Sequence, residues 1–289
     1  MKKLQGKYIL ITGASQGLGR ELALTFAQQG AAGIALVARD KAALEAVQRE
    51  IEQAVPAGGV VAIAAHLQQP NDIETVMADI RQQLEQTLHQ PRVVIIAADL
   101  TQPADIERVV ATTLAAFNGR LDVLVNNAST LGPSPMPYLL DYPLEDFHTV
   151  LNTNLIAPFL LIKKVLPAMV EQGGSIINVT SDAGVTGYPG WGAYGISKFG
   201  LEGLSQTWAS ELENTGVRVN WVDPGDMNTA MHRAAEPDED PTQWADPREA
   251  VAVFVYLASD ESIAINGQRF QAQAANWGLE RPAVSAKTV

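Results

Sequence analysis

Eight short apolar runs, each separated from the next by a longer stretch, constrain this 289-residue chain more than any other feature. They are Tyr8–Ile11, Gly33–Ala38, Val60–Ala65, Val93–Ala98, Val123–Val125, Ser175–Thr180, Arg218–Val222 and Gln268–Gln271. Helices are expected between them, near 17–29, 41–55, 71–88, 103–118, 145–171, 193–213 and 247–259. Such alternation is the pattern of successive βαβ units on a parallel sheet, placing the chain in the α/β class. Several runs are apolar on consecutive residues, as expected when helices cover both faces of the sheet.

Composition narrows the function. The 20 Lys and Arg against 32 Asp and Glu leave a formal charge of −12. That argues against nonspecific binding to nucleic acid or anionic lipid, which needs clustered cations. No cysteine is present, which excludes a disulfide framework, a thiolate nucleophile and Cys-ligated metal. The apolar run after Met1-Lys2-Lys3 is too short for a secretory signal, which needs about 7–15 apolar residues. No stretch approaches the ~20 apolar residues of a membrane span. A soluble cytoplasmic protein is the expectation, with no metal site: His66, His89, His148 and His232 are scattered.

The chain contains a repeat. Residues 60–76 align without a gap on 93–109, with 12 of 17 positions identical. Two copies are too few for a solenoid, so a tandem duplication of one helix–strand unit (48–80 and 81–113) inside an ordinary fold is expected. The second copy, with Asp99 where the first has His66, is assigned to the sheet edge, the converse placement with His66 at adenine being the alternative. The first is expected to add a strand and helix nearby. Residues 1–275 form one domain in this reading, with a tail at 276–289.

Between the first strand and the first helix lies Thr12-Gly13-Ala14-Ser15-Gln16-Gly17-Leu18-Gly19. Glycines at such a junction let the backbone approach a pyrophosphate, whose charge the helix N-terminus stabilises. The same segment resembles the short-chain dehydrogenase/reductase family, which binds NAD or NADP. Further segments match in family order: Asp99 and Leu100 after a strand, Asn126-Asn127-Ala128 after the next, Asn154, Ser181, Tyr194-Gly195-Ile196-Ser197-Lys198, and Pro224-Gly225 with Thr229. Ser129 departs from the family's Asn-Asn-Ala-Gly. The resemblance implies a Rossmann-type doubly wound parallel sheet in three α/β/α layers, with the duplicated unit near its edge.

It also implies the roles. Gly13, Ser15, Gln16, Gly17, Leu18 and Gly19 would cradle the cofactor phosphates. Asp99 and Leu100 would hold adenine, and Asn126 and Ala128 the ribose side. Pro224, Gly225 and Thr229 would hold nicotinamide. At the end of the second strand, Ala38 stands where NAD-preferring relatives carry Asp, and Arg39 follows. Arginine there accommodates a 2′-phosphate, so NADP is favoured and NAD is the alternative. Tyr194 would be the general acid or base, and Ser181 would orient the carbonyl. Lys198, one helical turn from Tyr194, would lower the phenol's pKa and hold the ribose; Asn154 would hold a water of the relay. Pro158 has no amide for the Asn154 carbonyl, which would leave that carbonyl free for water.

The expected reaction is hydride transfer between nicotinamide and the carbonyl or secondary alcohol of a small molecule. A dinucleotide-binding sensor or scaffold on the same fold is the alternative. Residues 226–246 resemble the family's substrate loop; its acidic residues would repel acidic acyl-carrier proteins and count against a fatty-acid ketoreductase. Tyr138, Tyr188, Pro189, Trp191 and Met231 are candidates for an apolar pocket wall. The resemblance further implies a homodimer or homotetramer through the helices at 145–171 and 193–213.

Overall fold

The computed structural model describes residues 2–55 and 91–278. Seven strands form one parallel sheet in the order β3-β2-β1-β4-β5-β6-β7. In chain order the principal elements are β1 (Tyr8–Thr12), α1 (Gly17–Gln28), β2 (Gly33–Ala38), α2 (Lys41–Ala54), β3 (Arg92–Ala97), α3 (Pro103–Ala116) and β4 (Val123–Asn126). There follow α4 (Leu144–Leu151), α5 (Ala157–Met169), β5 (Gly174–Val179), α6 (Gly192–Glu211), β6 (Val217–Asp223), α7 (Ala230–Ala235), α8 (Val251–Ala258) and β7 (Arg269–Gln271). The expected strands within the described residues all form, with no end shifted by more than one residue.

The consecutive apolar residues have a direct cause. Along β1, Ile9 and Ile11 enter one core while Leu10 enters the other; in β2, Ile34 and Leu36 oppose Ala35 and Val37. The first core packs under Leu22 and Phe26 of α1, Leu44 and Ile51 of α2, and Phe254 of α8. The second packs under Ile106 and Val109 of α3 and Leu161 and Val165 of α5. Two cores on one sheet make three layers. The chain runs outward from β1 to β3, then restarts on the other side of β1 with β4. A crevice beyond the C-terminal strand ends at such a reversal is where doubly wound sheets bind ligands.

The second repeat copy supplies β3, which pairs in register with β2 (Ile34 with Val93, Ala38 with Ala97) and is the outermost strand on that side among the described residues. The first copy's strand Val60–Ala65, helix 71–88 and His66 lie outside the described residues, as do His89 and residues 279–289.

One expectation needs correction. The helical run Leu144–Met169 is 26 residues long and contains an 18-residue window of mean hydropathy 1.3, which by length and composition alone would suffice for a membrane span. Part of that apolar surface packs into the core, where Pro158, Leu161, Ile162, Val165 and Met169 are buried. The run is also not uniform α-helix. Asn152–Ile156 forms a π-helical turn, with the Ala157 amide donating to the Asn152 carbonyl. A π-turn widens the helix by one residue per turn, and here it lies just ahead of Pro158.

Candidate active site

One cleft of about 790 Å³ opens at the C-terminal strand ends. Its floor is the turn between β1 and α1, where Gly13 adopts φ +65, a left-handed conformation that glycine takes without steric cost. Gly13, Ser15, Gln16, Gly17 and Leu18 all line the cleft. Gly19 does not; it is buried behind the turn, where an added Cβ would lie 2.2 Å from the Gly13 carbonyl oxygen and 2.6 Å from Asn127 Nδ2. That glycine permits α1 to pack tightly against the loop. Gly19→Ala is therefore expected to destabilise the protein by about 1–3 kcal/mol, the range for overpacking, and to weaken dinucleotide binding. Thermal unfolding and a cofactor titration check both effects.

Asn127, which went unassigned in the sequence, braces the same turn. Its Nδ2 donates to the Thr12 and Gly13 carbonyls (2.9 and 3.1 Å), while the Asn127 and Ala128 amides donate to Thr12 Oγ1 (3.0 Å each). Asn126 points away into the core, donating to Asn178 Oδ1 at 2.8 Å. Ala128 lines the cleft; Asn126 does not.

At the β2 end, Ala38, Arg39 and Asp40 line the cleft. Asp40 is committed to capping α2 through the Ala43 amide (3.1 Å). Arg39 is exposed. Asp99 and Leu100, just past β3, reach the same cleft. The Asp99 carboxylate also accepts from the Thr101 amide and hydroxyl (3.0 and 2.9 Å), fixing the turn into α3.

Across the cleft stand Ser181, Tyr194 and Lys198. Ser181 follows β5 and caps the short turn Asp182–Gly184, its Oγ accepting from the Ala183 amide at 3.1 Å and donating to Asp182 Oδ1 at 2.8 Å. Tyr194 and Lys198 lie on the first turns of α6, both buried. The Lys198 ammonium lies 5.4 Å from the Tyr194 ring centroid and donates to the Val179 carbonyl at 2.8 Å. Burial lowers the Lys198 pKa to about 8, while Asp223 and Glu202 pull it upward.

The phenol of Tyr194 departs from the sequence expectation. It lies above its ordinary value, raised by burial first, with a hydrogen bond to Ser181 lowering it and Asp223 and Asp182 raising it further. Burial disfavours a charged phenolate, and here it outweighs the hydrogen bond with Ser181.

Asn154 lies beside the cleft and is not part of its lining. Its Oδ1 accepts from the Thr130 amide (2.8 Å), and its Nδ2 donates to the Thr130 carbonyl (2.9 Å) and Ser197 Oγ (3.0 Å). The side chain thus clamps the π-turn to the segment after β4 and to α6.

Pro224, Gly225 and Thr229 complete the far wall. Thr229 caps α7 through the His232 amide (3.2 Å), leaving its methyl group 3.4 Å from where a Cβ on Gly17 would stand. The loop 226–246 closes on itself by a bridge between Met227 and Ala245. Ser134 Oγ ties it to the segment after β4, donating to the Ala234 carbonyl at 2.8 Å. Leu131, Ala183 and Tyr194 form a small apolar cluster, against which Met136, Trp191 and Met231 pack. Of the suggested pocket residues, Trp191 and Met231 line the cleft, whereas Tyr138, Tyr188 and Pro189 do not; Tyr138 is 67% exposed. Met136 has no motif around it, and only the fold brings it to this cluster.

The sequence profile of short chain dehydrogenase matches residues 7–89 and 78–240. The chain belongs to this family. The two matches overlap at 78–89, across the junction of the two repeat units, as a tandem copy of one unit would produce. The 3-oxoacyl-[acyl-carrier-protein] reductase FabG of Thermotoga maritima is 32% identical over 277 residues, spanning 92% of this chain and 96% of that protein. Among solved structures, a putative short chain dehydrogenase of Pseudomonas syringae superposes with TM-score 0.78 at 35% identity, covering 94% of this chain and 96% of that one. A putative short chain dehydrogenase of Shigella flexneri complexed with NADP superposes with TM-score 0.77 at 28% identity, covering 95% and 100%. This short-chain dehydrogenase is accordingly an oxidoreductase, built on the family's sheet with an added repeat.

Proposed function

We propose that the protein is an NADP-dependent oxidoreductase that interconverts a carbonyl and a secondary alcohol on a small molecule. The observation that carries the proposal is that one cleft holds the glycine turn, Arg39, and the Ser181–Tyr194–Lys198 set. The donor chemistry suits a phosphorylated dinucleotide. The α1 N-terminus and Ser15 would hold the phosphates, Arg39 would take a 2′-phosphate, and Asp99 and Leu100 would flank the adenine. Arg39 holds no ion pair among the described residues, whereas Arg20 nearby is engaged by Glu21 and Glu50. The NADP complex of the Shigella flexneri relative supports the same preference.

NADPH, when bound, supplies the hydride. The chain supplies position and a proton. Ser181 donates a hydrogen bond to the substrate oxygen, which requires its hydroxyl to turn from Asp182. Tyr194 donates its proton to that oxygen, and the Lys198 ammonium stabilises the phenolate left behind. Asn154 supports the relay, clamping the π-turn against α6.

The wall of Leu131, Trp191 and Met231 suits an apolar ketone. The acidic loop, with Glu236, Asp238, Glu239 and Asp240 exposed or nearly so, works against docking of an acidic carrier. The name of the Thermotoga maritima relative nevertheless brings 3-oxoacyl thioesters into the test. Free apolar ketones and 3-oxoacyl thioesters are screened for NADPH oxidation. Turnover of the former with little of the latter supports this reading, and the reverse assigns a 3-oxoacyl reductase.

The proposal includes self-association. Leu139, Leu140, Leu144, Ile196 and Phe199 on and around α4 and α6 are exposed, Leu140 at 95%, and an apolar patch of this kind supports a homo-oligomer.

A further inference from the structure

We infer that Arg269 is a positioning residue, the clasp that holds together the three segments carrying the proton-transfer groups. It rests on the reading of Ser181, Tyr194 and Lys198 given above. Arg269 opens β7, the last strand of the sheet, and belongs to none of the matched motifs. Its Nε donates to Glu202 Oε1 at 3.0 Å, and its Nη2 donates to Asp223 Oδ2 at 3.0 Å and to the Ser181 carbonyl at 3.2 Å. Glu202 belongs to α6, one turn beyond Lys198. Asp223 ends β6, immediately before Pro224-Gly225. One guanidinium therefore reaches the serine's own backbone, the helix of the tyrosine and lysine, and the root of the loop on the nicotinamide side.

The partners are themselves fixed. Glu202 accepts from Thr180 Oγ1 at 2.8 Å, next to Ser181, and from the Trp221 indole. Asp223 Oδ1 accepts from the Gly225 amide at 3.0 Å. The Glu202 and Asp223 side chains are only 7% and 8% exposed. Buried carboxylates at these sites require a matching cation, and the rigid fork of arginine serves two of them and a carbonyl at once.

The arrangement also sets the charge around the catalytic pair. Lys198 and Glu202 lie on α6, Asp182 on the turn after β5, Asp223 on β6 and Arg269 on β7. On the loop side, His232 and Asp226 approach to 3.8 Å. Glu202 and Asp223 both act on Lys198, and Asp223 acts on Tyr194. With Arg269 present, the buried set Glu202, Asp223, Arg269 and Lys198 carries two charges of each sign. Without it, two carboxylates face one ammonium, and a phenolate at Tyr194 becomes harder to form. A clasp with no bearing on catalysis would affect stability alone.

The test compares the wild type with Arg269→Met and Arg269→Lys. Each is measured for the pH profile of NADPH-dependent reduction and for Tyr194 titration, read as tyrosinate absorbance against the matching Tyr194→Phe protein. Arg269→Met is expected to lower kcat about tenfold, the equivalent of one pKa unit. It should also move the alkaline limb and the Tyr194 titration upward by about half a unit or more. Arg269→Lys should recover most of both. If Arg269→Met does not fold, Glu202→Gln removes one anion and is expected to move both readouts downward. Folded Arg269→Met with kcat, limb and titration unchanged would overturn the inference, as would an unmoved Glu202→Gln. A wild type without turnover would instead refute the oxidoreductase reading, and the Tyr194 titration would still judge the clasp.

Discussion

Tyr194→Phe is expected to lower turnover by about 10²–10⁴-fold, the range for loss of a general acid, while NADPH still binds. The proposed cofactor cradle comprises the β1–α1 turn, Arg39 and the loop after β6, none of which depends on the phenolic oxygen. The ring stays buried against Trp191, whose centroid is 5.6 Å away, so the substitution preserves packing. Steady-state kinetics beside a fluorescence titration of NADPH separates the two effects. A dinucleotide-binding sensor would instead show no turnover in either protein.

The pH dependence follows from the same pair. Burial holds the phenol protonated well above neutrality, so Tyr194 retains its proton across the physiological range. Lys198 is the group that titrates, near 8. As pH rises through that value the ammonium is lost, and with it the stabilisation of the emerging phenolate. Carbonyl reduction is therefore expected to decline on the alkaline side, with Lys198→Met low throughout.

Arg39→Ala is expected to weaken NADPH binding about 10–100-fold and to leave NADH binding nearly unchanged. The loss corresponds to one charge-assisted contact of about 1.5–3 kcal/mol, and it is specific because only NADPH carries a 2′-phosphate for the guanidinium. Ala38 offers no carboxylate to a 2′-hydroxyl, so NADH has little to gain. Paired titrations of both nucleotides with wild type and variant measure the change. Equal weakening of the two would show that Arg39 contacts a shared part of the dinucleotide.

The sheet was legible because its causes are local. Consecutive apolar residues such as Ile9-Leu10-Ile11 report burial on two faces directly, and the glycine turn at 13–19 identifies the first βα junction. The second repeat copy was separable from the first because only it carries Asp99, which lines the cleft. Other features depend on tertiary proximity and leave little trace in spacing. Arg269 stands 67 residues from Glu202 in sequence, and nothing near it marks a partner. Asn127 sits inside a recognised motif, yet its role in bracing Gly13 emerges only when β4 lies beside β1. The position of Tyr194's phenol is of the same kind. Helical spacing places an ammonium near it, but the opposing effects of burial, Asp182 and Asp223 come from three other segments. Asn154 illustrates a mixed case: Pro158 signals an irregular helix, while the π-turn and the clamp on Thr130 belong to the fold.

The most direct test of the account is the fate of deuterium carried on the nicotinamide of NADPH during reduction of an accepted ketone in ordinary water. One deuterium is expected on the new carbinol carbon of the product, with none lost to solvent. A product whose carbinol hydrogen comes from water would contradict it.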